Sequence, residues 1–292
     1  MSDKSSLEDF VYGLTKCQSL EQGMERLSEN ILKQARDELG YSFPPVQSRK
    51  IAKLRKVKRV FEKDIEKAAY LTTIDGGFHI CLRKSDPLYK KNFSCAHEIG
   101  HTFFFDLSYR VPKPIKIGNV QQRIIEKLCE RFAGSLLMPQ IHFLSSWWKF
   151  ERDFDFAQIE KLSHDFEVSP KSIVVRAMHL GALRDPKRFI LLFEEKVHRK
   201  TGLHKKLRVN LAVIPSDSEI FVPSNIGVER LRLTRLLTKY KNHDLTELSA
   251  LETMRTLKRE PISRHFRSSE ILCHAKYKSY GEKYVLGLFK VV

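Results

Sequence analysis

Apolar residues between positions 4 and 40 recur at helical spacing. Leu7, Phe10, Val11 and Leu14 fit one face, and Met24, Leu27, Ile31, Leu32 and Ala35 continue it until Gly40, where a glycine that accepts left-handed backbone predicts the stop. Pro44-Pro45 breaks the chain, and the spacing of Ile51, Leu54 and Val57 predicts a short helix over 46–60, carrying a run of arginines and lysines. Ala68–Ile74 and Phe78–Leu82 are β-rich runs around Asp75-Gly76-Gly77, which predicts a hairpin, because Asp-Gly readily adopts the left-handed dihedrals of a tight turn. A small antiparallel sheet therefore precedes the apolar run Phe93-Ser-Cys-Ala-His97-Glu98-Ile-Gly-His101, and the helix of that run is expected to continue through Thr102–Leu107. Val111-Pro-Lys-Pro-Ile115 forces a loop, and Gln121–Met138 is helical, with Ile124, Ile125, Leu128, Phe132, Ala133, Leu136 and Leu137 as its apolar face and Pro139 after it.

Further along, Phe156, Ile159 and Leu162, then Phe166-Glu-Val-Ser169-Pro170, then Ile173, Val174, Arg176, Ala177 and Leu180 have the spacing of helix, turn, helix, closed by Gly181. Such a pair can serve DNA reading, with Lys161, Lys171 and Arg176 meeting phosphates, or can be plain packed structure. Beyond Asp185-Pro186 the runs 189–193, 207–214 and 284–292 are strand-like, and 228–240 and 245–259 are helical with basic faces. The expected fold class is α+β, arranged as residues 1–149, a helix-turn-helix-like segment 150–185 packed on them, and a smaller basic α+β domain 186–292. No repeat or low-complexity tract occurs.

Composition narrows the class. The 292 residues are 42% hydrophobic, enough for real cores. No apolar run reaches membrane-spanning length, and the polar start lacks a signal-peptide core, so no membrane association and a cytoplasmic location are expected. Cys17, Cys81, Cys95, Cys129 and Cys273 form no C-x-x-C pair, which predicts reduced thiols with no disulfide and no cysteine metal site. The net charge is +17. Residues 186–292 hold 22 basic against 11 acidic residues. That excess suits nucleic acid or an acidic protein surface, or simply solubility.

The candidate chemistry lies in His97-Glu98-x-x-His101. Histidines four apart share a helix face and can ligate a metal, while the adjacent carboxylate can take a proton from a water. A zinc held by two histidines needs a third protein ligand, and Glu126 on the following helix lies nearer the apolar stripe than Glu130, the other carboxylate there. His142 is either a second donor to the reacting carbonyl or a surface histidine.

Asn92-Phe-Ser-Cys-Ala-His97-Glu98-Ile-Gly-His101-Thr102, followed by Glu126-Lys-Leu-Cys129-Glu-Arg-Phe132-Ala133-Gly-Ser-Leu136-Leu137-Met138-Pro139, resembles the ImmA/IrrE family of zinc metallopeptidases in both motifs, their order and their spacing. Glu130 departs from the pattern, since family members often carry Asn or a small polar residue there. The resemblance implies a zincin-like domain with His97, His101 and Glu126 as metal ligands and Glu98 as general base. It implies zinc as the metal, with manganese as the cellular alternative. The implied activity is cleavage of a helix-turn-helix repressor protein, which derepresses stress-response or mobile-element genes. The rival is a non-cleaving DNA-binding or sensory regulator on the same scaffold. Radiation-response members of similar sequence carry a GAF-like sensory domain at the C-terminal end. The oligomeric state is not specified by any of these features.

Overall fold

The computed structural model describes residues 7–115, 122–197, 205–213, 262–268, 271–280 and 284–291. They form a mixed α+β architecture that divides into two compact units, Met1–Phe143 with Ser163–Ser169, and Leu144–Leu162 with Pro170–Val292.

In the first unit the predicted N-terminal helical stretch is two helices, α1 (Leu7–Thr15) and α2 (Leu20–Leu39). The Ser19 side chain accepts from the Gln22 amide at the start of α2, and Gly40 closes it at φ 61°. α2 buries the expected face, Met24, Leu27, Ile31, Leu32 and Ala35, whereas Leu14 of α1 is exposed. The helix expected over 46–60 is only partly there. α3 (Ser48–Ile51) runs into a 3-10 turn, Ala52–Arg55, and the chain then enters strand β1 (Val57–Lys63). Lys56 makes the change of direction at φ 57°.

β2 (Ala69–Ile74) and β3 (Gly77–Arg83) form the predicted hairpin, with Ile74 opposite Gly77 and both Asp75 and Gly76 at positive φ. β1 joins β3 in parallel, so the sheet, in order β1-β3-β2, is mixed rather than purely antiparallel, and β2 is an edge strand. α4 (Leu88–His101) follows and buries Cys95, Ala96 and Ile99. The helix does not continue to 107: Thr102–Phe104 tightens to 3-10, and β4 (Phe105–Asp106) pairs with β5 (Lys113–Pro114). α5 (Gln122–Leu137) packs on both α4 and α2 through the predicted Leu128, Phe132, Ala133, Leu136 and Leu137. α6 (Gln140–Asp153) and α7 (Phe156–Asp165) span the division between the units.

In the second unit α8 (Pro170–His179) packs on β6 (Arg188–Val197) and β7 (Lys205–Val213) with Ile173, Val174 and Ala177 buried. β8 (Ile262–Ser268), β9 (Ile271–Tyr280) and β10 (Tyr284–Val291) complete an antiparallel sheet of order β7-β6-β10-β9-β8. The last strand therefore sits in the middle, with Leu286, Leu288 and Phe289 buried and Phe289 stacked on Phe189 at 4.6 Å. The sequence reading had no elements at β8 and β9. The helices expected over 228–240 and 245–259 lie outside the described residues. Arg176, expected to face phosphates, is 1% exposed, and no residue of α8 is fully exposed. Lys171 ion-pairs with Glu194, while Lys161 is exposed.

Candidate metal centre

Two devices fix α4. At its beginning the buried Asn92 amide accepts from the Ser48 amide at 2.8 Å and from the Ser48 hydroxyl at 2.7 Å, and donates to the Val46 carbonyl at 2.8 Å. Each polar atom in this dry corner is thereby satisfied. At its end Arg55 donates Nε to the Thr102 hydroxyl and a terminal nitrogen to the Thr102 carbonyl, both at 3.1 Å, with its guanidinium 4.0 Å from the Phe103 ring centroid. Burial lowers its pKa to about 10, and it remains a cation facing the negative end of the helix.

The four-residue spacing brings His97 and His101 together, Nε2 to Nε2 at 3.1 Å, and Glu126 of α5 meets them with Oε2 3.1 Å from His97 Nε2 and 3.5 Å from His101 Nε2. Tetrahedral zinc with bonds of about 2.0–2.1 Å separates its ligand atoms by about 3.3 Å. The three side chains therefore fit such an ion. Burial lowers the pKa of both imidazoles, with Glu126 opposing it, and neutral rings keep a lone pair for coordination. Burial would raise the Glu126 pKa, but the Gln122 amide, 2.9 Å away, and the two imidazoles bring it below the usual range.

Glu98 is 7% exposed beside this cluster. Burial first, then the charge of Glu126, pushes its pKa up to about 7, against the pull of Lys67 and of the Leu71 backbone N–H, which its carboxylate accepts. A carboxyl poised near neutrality is suited to exchanging protons. All four residues singled out in the sequence thus lie together and line a cleft of about 930 Å³. Glu130 lines the same cleft without joining the three-residue cluster, and His142 is exposed and not among the lining residues. Sequence reading missed Lys67, the Leu71 amide, Gln122 and Arg55. Only Gln122 carried a signal, standing one helical turn before Glu126.

Among the described residues no helix is long and apolar enough to cross a membrane, and Cys17, Cys81, Cys95 and Cys129 are free thiols. No curated protein matches the chain in sequence. Among solved structures it is similar to a Mycobacterium tuberculosis transcriptional regulator, at 12% identity and TM-score 0.50, over 97% of this chain and 80% of that one. That likeness concerns the fold. Residues 58–178, from β1 through α8, match the IrrE N-terminal-like domain of the Peptidase_M78 family, a metallopeptidase family that implies a bound metal. Over these residues the chain is similar to the ImmA/IrrE family that its two motifs resemble.

Proposed function

We propose that the protein is a zinc-dependent endopeptidase that cleaves a helix-turn-helix transcriptional repressor and so relieves repression of stress-response or mobile-element genes. The observation that carries this reading is the meeting of three ligand atoms at tetrahedral edge lengths, with a buried carboxyl beside them. His97, His101 and Glu126 would hold the ion. Zinc, when bound, supplies Lewis-acid polarisation of a carbonyl and acidifies water. Glu98 takes a proton from the attacking water and returns it to the leaving amine. The Leu71 backbone N–H favours the charged form of this carboxylate. The open edge of β2, whose residues Ala69–Leu71 line the cleft, offers backbone groups to an extended peptide.

The neighbouring fold belongs to a transcriptional regulator, which accords with a regulatory role. A purely DNA-binding role has less support, since Arg176, the arginine of α8 placed to meet phosphates, is buried. It also leaves Glu98 without a purpose, because a metal scaffold needs no carboxylate there.

The test is incubation of the purified chain, with zinc or manganese, and a small helix-turn-helix repressor encoded by a neighbouring gene. A discrete fragment is expected. Glu98→Gln should bind zinc normally yet cut about 10²–10⁴-fold more slowly. Equal cutting by both proteins, or by neither, sinks the proposal.

A further inference from the structure

The cleft differs chemically at its two ends, and we infer that it selects extended peptide segments with an acidic side chain at one end and an apolar side chain at the other. This deepens the peptidase reading and rests on it. Lys90, Ser94, His97 and His101 recur at spacings of four, three and four, so they form one row along α4. All four line the cleft, which therefore runs along the helix. At 1.5 Å per residue, Lys90 stands about 10 Å from His97 towards the start of α4. Lys67, exposed just before β2, joins that end, and its charge reaches Glu98. Lys90 is 2.8 Å from Asp86, but Arg83 claims the same carboxylate oxygen at 2.9 Å, so two cations share one anion. Lys67 and Lys90 are the two lysines that line the cleft.

The opposite end, past His101, is walled by Phe104, Phe105, Pro114 and Ile115, and the Ile115 amide donates to the Phe104 carbonyl at 2.9 Å. On the α5 wall Glu130 is exposed and lines the cleft, where it disfavours acidic side chains next to it. A strand advances about 3.3 Å per residue, so a peptide paired with β2 would place its acidic residue about three positions from the bond above His97.

The experiment measures binding as well as cutting. Fluorescein-labelled peptides of about ten residues, with Glu-Asp near one end and Leu-Phe near the other, are titrated into zinc-loaded full-length Glu98→Gln protein and followed by anisotropy. The reversed order, a Gln-Asn version and a Lys-Arg version serve as comparisons. One order of the acidic peptide should bind about fivefold tighter than its Gln-Asn version at low salt, with the gap closing as ionic strength rises. Adding Lys67→Glu should abolish that gap and make the Lys-Arg peptide the better ligand. Equal binding of acidic and neutral peptides, or a gap that Lys67→Glu leaves intact, overturns the inference. Repressor cleavage by the wild-type chain without charge preference would spare the peptidase reading and sink this one. Charge-selective binding without cleavage would do the reverse.

Discussion

Gly100 sits where α4 presses on α5, and a Cβ built there would lie 3.2 Å from both Cys129 Cα and Phe132 Cδ1 and 3.3 Å from Cys129 Cβ. The absent side chain sets the separation of the two helices that carry His97, His101 and Glu126. Gly100→Val should push them apart, cost about 1–3 kcal/mol by overpacking, and weaken zinc binding about tenfold or more. Competition with a chromophoric chelator measures the second effect, and unchanged affinity would show that α5 moves with the insertion. His97, Glu98 and His101 were legible because a helix converts sequence spacing into shared faces. Glu126 was legible because its helix has one apolar stripe and few carboxylates. Lys67 and the Leu71 amide were not, since a strand pairing and a turn bring them to Glu98, and neither leaves a local pattern.

Elements were legible where one period dominated. The hairpin announced itself through Asp75-Gly76, and α5 through a long stripe closed by Pro139. β1 was mistaken for helix because Ile51, Leu54 and Val57 fit a helical period that in fact spans α3, a 3-10 turn and the first strand residue. The pairing with β3 decided the outcome, and local propensity gave way to it. β9 carries its own signal, Cys273, Ala275 and Tyr277 alternating with His274, Lys276 and Lys278, which a search for continuous apolar runs passes over. The join between α3 and α4 also has mechanical value, because Arg55 reaches across to finish the motif helix. Arg55→Ala strips a cation and two hydrogen bonds from that end and should destabilise the protein by about 1–3 kcal/mol in urea titrations. Arg55→Lys should recover only part of this, since an ammonium cannot reproduce the guanidinium fork. Full recovery by lysine would mean that charge alone matters.

For the molecule as a whole, the basic excess falls mainly in residues 186–292, the stretch that includes the described sheet β7-β6-β10-β9-β8. Deleting 186–292 should leave one equivalent of zinc bound, because His97, His101 and Glu126 all belong to the other unit. It would also strip the cover from Ile173, Val174 and Ala177. The truncated chain should therefore bind an apolar dye such as ANS more strongly than the full chain. Loss of zinc on truncation would contradict the separation of the metal centre from the sheet. The chain passes from one unit to the other three times, after Phe143, Leu162 and Ser169. In evolutionary terms, neither unit is a cassette that a single crossover could excise. Recombination that exchanged the sheet while sparing the metal centre would have to treat the interleaved stretch from 144 to 170 as one indivisible block.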